Sequence, residues 1–338
     1  MEELVKERES AKATLARGEL LSADLHFRTL AHLFPDTVGK LEGMDQRTKY
    51  HSLPADEHTL EMVRHLQAHP FVQSLSQRKR SLVLLAAKLH DVGKAHPEGG
   101  KPHPKEPGQM QYVGHEQKSA EIAREILQKF DLTPDERTAV EKIVELHADA
   151  LNLTVPFQAL EKNGKISGKE LAAFEKFVGG VKQIPGSHTP EGLEENFRLM
   201  LAVTHADNKA VVNEATAPNH PQLAEKASTQ TALIEKLHSA APAVLEAVKR
   251  KAAGTQQAGV ENKEGSYAYR DFSTPKTESG FDMAGLSAAL KEKGIPPAVL
   301  GIIRKAGEPP QAAEALRKAG HDQHVETVLG LLEKFRRT

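Results

Sequence analysis

The chain has 338 residues, enough for one large domain or two modest ones, and its 45 basic and 46 acidic side chains nearly cancel to a formal net charge of -1. That balance argues against a general polyanion-binding surface while leaving room for a local basic groove. There is no cysteine, so disulfides and thiolate metal sites are excluded and any metal must be held by histidine, carboxylate and water. Residues 1–20 are polar without the apolar core of a signal peptide, and no apolar run approaches the roughly 20 residues that span a bilayer. A cytoplasmic protein with no membrane partner is the default expectation.

Helical spacing dominates, and no run of β-branched alternation reads as a strand, so the expected fold class is all-α. Residues 1–50 are a helical lead-in, in which Ser22 or Asp24 starts a helix through LHFRTLAHLF that Pro35 and Asp36 close. HTLEMVRHLQAH, about 58–69, is amphipathic and ends at Pro70. RKRSLVLLAAKLHDVG, about 78–93, is apolar on most sides and is predicted as the central buried helix. The Pro/Gly-rich stretch HPEGGKPHPKEPGQMQY, 96–112, is a loop long enough to suggest a function. A helix over EQKSAEIAREILQKF follows. Thr133-Pro134-Asp135-Glu136 then reads as a capping box with proline at the first helical position, opening a helix through VEKIVELHADAL.

After Asn152, glycines at 164, 168, 179 and 180 predict a looser stretch. Thr189-Pro190-Glu191 caps a long helix through FRLMLAVTHADNKAVV that ends near Pro218. The main domain is therefore expected at 51–218, with a connecting helical segment at 219–253 and a polar linker or mobile loop at 254–283. A small helical region at 284–338 is broken at Gly294-Ile295-Pro296-Pro297 and at Pro309-Pro310.

Six residues pass one physical test, in which a metal-capable side chain prolongs an apolar helical stripe. His58 continues into Met62 and Leu66, and His90 follows Val83 and Ala86 or Ala87. His115 leads into Ser119, Ile122 and Ile126, and His147 follows Val140, Ile143 and Val144. Asp207 follows Leu199 and Val203, and Asp91 sits beside His90, about 100° around the helix. Each points toward a core where charge is costly unless a partner or a cation neutralises it. Four imidazoles and two carboxylates converging there suit one or two divalent transition metals (Mn, Ni, Co, Fe or Zn), with Mg, which prefers oxygen, less suited.

The order of these residues resembles the HD-domain superfamily of metal-dependent phosphohydrolases, whose motif H…HD…D is matched by His58, His90-Asp91 and Asp207. His115 and His147 match the longer form of the motif, which in that superfamily goes with two-metal sites. YHSLPADEHTLEMVRHL, AAKLHDVGK, YVGHEQKSAEIAREIL, IVELHADAL and VTHADNKA also resemble, in order, the HD domain of bacterial CCA-adding tRNA nucleotidyltransferases. This likeness covers about 20–215. The glycine-rich strand and paired aspartates of the nucleotidyltransferase head are missing, so nucleotide addition is not expected. The resemblance does not extend past about 220.

The resemblance implies hydrolysis of a phosphoester in a phosphorylated small molecule, a nucleotide or an RNA end. Asp91 would bridge two ions, and a bridging water of lowered pKa would give a hydroxide nucleophile. Lys94 resembles the lysine of an HDxGK motif and is a candidate catalytic and phosphate-binding point charge. His96, Lys101, His103 and Lys105 are further substrate-binding candidates, as a basic lid over the site. His65 reads as a helix-packing residue, His205 as support behind Asp207, and His188 as loop. Two other readings stay open: a di-iron oxygenase resembling myo-inositol oxygenase, which shares the ligand order, and a non-catalytic interaction protein with a structural metal. Only 4% of residues are aromatic, leaving few platforms for stacked bases.

Overall fold

Apolar residues at helical spacing, punctuated by strong caps, produce an all-α molecule. The computed structural model describes residues 2–163, 168–257, 290, 293, 313, 316, 317 and 322–334, in two units, Met1–Ser266 and Tyr267–Thr338. In the first unit α1 (Glu2–Ala16) and α2 (Phe27–Leu33) lead to α3 (Ala55–Ala68), α4 (Pro70–Ser74) and α5 (Gln77–Leu89). Then come α6 (His115–Leu127), α7 (Pro134–Leu146), α8 (Thr154–Asn163), α9 (Gly168–Val181), α10 (Pro190–Lys209), α11 (Pro221–Ser239) and α12 (Ala241–Gln257). In the second unit, a 3-10 turn at Asp322–His324 leads into α13 (Val325–Lys334), where Val325, Val328 and Leu332 form a buried stripe.

Caps explain where the helices start. Thr133 accepts a hydrogen bond from Glu136 N at 3.2 Å and Glu136 Oε2 accepts one from Thr133 N at 2.8 Å, the reciprocal capping box read from sequence. Thr189 caps α10 through Gly192 N at 3.1 Å, with Pro190 at the first helical position. Arg78, in the first turn of α5, holds Glu136 through two hydrogen bonds of 2.6 and 2.8 Å and so ties α5 to the start of α7.

α5 is the central helix, with Leu82, Val83, Leu85, Ala86, Ala87 and Leu89 all buried, and it packs against α3 and α7. Burial of such a stripe is worth about 1.5–3 kcal/mol for each large aliphatic side chain. α10 lies against α3 on one side and α11 on another, which is why Phe197 through Asp207 is buried almost without a break.

The structure departs from the sequence expectation in four places. α5 stops at Leu89, and a separate 3-10 turn, Val92–Ala95, follows the break at His90-Asp91. The 96–112 loop contains a two-residue antiparallel hairpin, β1 (Lys101–Pro102) with β2 (Met110–Gln111). The stretch read as loose after Asn152 is mostly helical, because Phe174, Phe177, Val178 and Val181 bury one face of α9. α10 ends at Lys209 rather than near Pro218. The segment 219–253 supplies α11 and most of α12, of which α11 packs on α10. Most of the 254–283 linker, and both Pro-containing breaks at 294–297 and 309–310, lie outside the described residues.

Candidate metal centre

Helix ends carry the candidate ligands. His90 and His147 occupy the C-terminal caps of α5 and α7, His115 is the first residue of α6, His58 lies in α3 and Asp207 near the end of α10. Helix C-termini carry partial negative charge, so two of these ends already favour a cation. The local build repeats. His90 Nδ1 bonds Ala87 O at 2.8 Å, His147 Nδ1 bonds Val144 O at 2.7 Å and His115 Nδ1 bonds Tyr112 O at 2.6 Å, each three residues back. His58 Nδ1 bonds Ala210 O at 3.1 Å.

A carbonyl oxygen can only accept, so in each of these pairs the ring nitrogen donates and Nδ1 holds the proton. In the neutral ring Nε2 then carries a lone pair, the tautomer of a metal-ligating histidine whose other nitrogen is fixed by a main-chain oxygen.

These Nε2 atoms surround the carboxylates. His58 Nε2 lies 3.3 Å from His90 Nε2, 2.9 Å from Asp207 Oδ1 and 3.7 Å from Asp91 Oδ2. His90 Nε2 is 3.2 Å from Asp91 Oδ2 and 3.6 Å from Asp207 Oδ1. Ligand atoms bonded at about 2.1 Å to a single octahedral or tetrahedral ion lie roughly 3.0–3.4 Å apart, so this group fits one ion. The other oxygen of Asp91, Oδ1, faces His115 Nε2 at 3.2 Å, and His147 shares a second potential ion position with His90 and Asp91.

Both carboxylate oxygens of Asp91 are buried without a well-formed hydrogen bond. The compensating contact is the ammonium of Lys94, 2.7 Å from Oδ2, which also donates to Gln46 Oε1 at 2.8 Å. A buried carboxylate whose charge is balanced by one ammonium and ringed by imidazole nitrogens is a place where a cation would also be stabilised. The donors present, neutral imidazoles and two carboxylates, fit divalent transition metals.

The electrostatics agree with a cluster built for positive charge. Burial alone would raise the pKa of Asp91, but His90, Lys94 and His115 outweigh it and hold the carboxyl well below its ordinary value. Asp207 is likewise lowered, its burial overcome by His58, His90 and His147. Burial opposes charge on His90, yet the Asp91 and Asp207 carboxylates prevail and raise its pKa. Burial and the adjacent His90 push His147 down to about 4.

A cavity of about 190 Å³ opens onto Asp91, Lys94, His115, His147 and Asp207. Residues 48–185 match the HD domain.

HD domains are in general metal-dependent phosphohydrolases, and the all-α architecture and the His/Asp cluster agree with that superfamily. The HD match takes in five of the six candidate ligands and Lys94, while Asp207 lies beyond its end. No solved structure matches the chain. No helix among the described residues is long and apolar enough to cross a membrane.

All six candidate ligands and Lys94 meet in one place, but the other basic candidates do not line the cavity. His103 N bonds Gln109 O within the loop, and Met110 N bonds Arg47 O, which folds the 96–112 loop onto the 45–51 segment. Lys101 and Lys105 are exposed, and His96 lines a separate depression with Asp36 and Lys118. His205 turns away from Asp207, bonding Glu235 at 2.9 Å and packing edge-on against His69. His65 is half-buried beside Glu61, and burial and Arg64 lower its pKa to about 4.

Sequence reasoning missed Gln46, which positions Lys94, and His51, which lines the cavity with its ring edge-on to His58 at 4.9 Å. It also missed the cavity wall from α11, where Leu223, Lys226 and Gln230 face the centre. His51 precedes α3, so helical spacing carried no signal for it. The α11 wall carried none, because packing of a separate helix is invisible to local pattern.

Proposed function

We propose that the chain is a metal-dependent phosphohydrolase, a phosphodiesterase or phosphatase acting on a nucleotide or RNA-end phosphoester. The observation that supports it is Asp91, whose two oxygens face different imidazole sets while a buried lysine sits on one of them. The nucleic-acid preference rests on the likeness of the motif segments to the HD domain of CCA-adding enzymes.

Divalent transition ions held by His58, His90, Asp91, His115, His147 and Asp207 would supply a Lewis acid for phosphoryl oxygens and a water of lowered pKa. Each histidine is tied through Nδ1 to a main-chain carbonyl, so its lone pair stays aimed while charge shifts around it. Lys94 cannot swing far, because Gln46 is itself fixed through Nε2 to Leu53 O at 3.1 Å. Its ammonium is thus a point charge at the cavity wall, placed to stabilise negative charge that builds on a phosphoryl oxygen. Leu151, Val211 and Leu223 add apolar surface to a wall that is otherwise partly polar.

The test is elemental analysis of the purified protein together with a screen of nucleotides and cyclic phosphodiesters against Mn, Ni, Co, Fe, Zn and Mg. Turnover that follows metal content and disappears in Asp91→Ala is the expected result. Unchanged metal content and activity in that variant would overturn the scheme. Bound iron with a mixed-valent EPR signal and no turnover of any phosphoester would favour the oxygenase.

A further inference from the structure

The cavity continues outward into a groove of about 820 Å³, and the two share Tyr50, His51, Leu223 and Lys226 as lining. Two stretches build most of the groove, 48–51 ahead of α3 and 219–226 at the start of α11. Its lining includes two lysines and two histidines and no carboxylate. Glu106 pairs with Lys49 and burial lowers the pKa of His51, so Lys226 is the lysine of this lining that brings an uncompensated positive charge beside the candidate metal centre.

Tyr50 organises the charge. The residue is 52% exposed, with the Lys226 ammonium 5.0 Å and the Lys49 ammonium 5.6 Å from the centre of its ring. The negative face of the ring holds both cations at the rim. Glu106 neutralises Lys49 at 2.6 Å, whereas Lys226 has no carboxylate partner among the described residues. Tyr50 is itself held, since its N–H donates to Thr48 Oγ1 at 3.1 Å and that oxygen also meets His51 Nδ1 at 3.3 Å. Just before this turn Arg47 adopts φ +45°, a left-handed conformation that a long side chain rarely takes. Met110 N holds its carbonyl at 2.7 Å.

Building on the phosphohydrolase reading, we infer that the groove is a subsite for a second phosphate of the substrate, with Lys226 as its charge and Tyr50 as the post that positions it. The inner cavity has room for the scissile group, and the rest of the molecule lies in the groove. The substrate is then a phosphoester that carries another phosphate beyond the one cleaved, as an oligonucleotide end or a nucleoside polyphosphate does, and not an isolated monoester.

The test uses the full chain loaded with its metal and calorimetric binding of thymidine 3′,5′-bisphosphate and thymidine 5′-monophosphate. Lys226→Ala should weaken the bisphosphate about tenfold, the scale of one contact to a charged group at a partly exposed site, and the monophosphate by less than about threefold. Bisphosphate binding should also become less sensitive to ionic strength in that variant. Tyr50→Ala should reproduce part of this loss and Tyr50→Phe none of it. Equal weakening of both ligands by Lys226→Ala, or of neither, would overturn the subsite. Because binding is read without turnover, selective loss in a protein that hydrolyses nothing would sink the hydrolase reading and leave the subsite standing. Turnover of a 5′-phosphorylated dinucleotide against a nucleoside diphosphate tells which of the two sources supplies the second phosphate.

Discussion

Replacing Lys94 with methionine should have opposite thermodynamic consequences with and without metal. Its ammonium and the Asp91 carboxylate are 2.7 Å apart with side chains 4% and 0% exposed, so neither charge has water to fall back on. Removing one member of such a buried pair typically costs about 3–5 kcal/mol. For metal-free protein that corresponds to a fall in melting temperature of roughly 6–12 °C, taking the lower end of the range and a domain of this size. An ion bound at Asp91 takes over the neutralising role, so the cost should shrink to about 1 kcal/mol at saturating metal. Linkage then requires the variant to bind metal more tightly, by about 30-fold for a 2 kcal/mol difference. Urea unfolding of chelator-treated and metal-saturated protein measures the two costs, and calorimetric titration measures the affinity independently. Equal losses in the two states, or unchanged metal affinity, would refute the idea that Lys94 and the metal share one carboxylate.

Gly93→Ala should destabilise the protein by about 1–3 kcal/mol and lower its metal content. A Cβ there would stand 2.4 Å from His115 O and 2.6 Å from Ser119 N, both backbone atoms that cannot yield, and urea unfolding with elemental analysis checks both effects. Glu136, lowered to about 2 chiefly by its Arg78 hydrogen bond, contributes stability that is complete above its unfolded value of 4.5 and is lost as pH falls toward 2. Because Arg78 is half exposed the contribution should be no more than about 1 kcal/mol, and Glu136→Gln should flatten the denaturation profile over that window. Lys88 is the reverse case. Burial lowers it to about 8, so the folded state disfavours its charge, and stability should rise as pH increases from about 8 toward 10.5. Lys88→Met should remove that rise; a profile identical to the parent would show that the Leu25 carbonyl, 2.6 Å from the ammonium, already compensates the charge.

The convergence of these imidazoles and carboxylates was legible because burial of a polar side chain leaves a mark in periodicity. His58, Met62 and Leu66 share one stripe, and all are fully buried. The α7 capping box was legible for a similar reason, as its two hydrogen bonds need only residues three apart. Glycine misled. Gly179 and Gly180 were read as breakers, yet they lie inside α9, where a Cβ at Gly180 would meet the Leu146 side chain at 3.0 Å. The absence of a side chain there serves close packing, which outweighs helix propensity. The hairpin of 101–111 is too short for alternation to register. The basic loop candidates failed to reach the cavity because long-range bonds from Met110 to Arg47 and from Tyr112 to Gln46 decide where the loop lies, and no local pattern encodes them.

His58 and Asp207 meet although they stand 149 positions apart in the sequence. A ribosome-bound chain that has displayed α3 through α9 therefore holds every imidazole of the centre and still lacks its closing carboxylate. The rim lysine of α11 arrives later again. The order of synthesis thus leaves the cluster without one of its two carboxylates until nearly all of the helices that carry its imidazoles have been made.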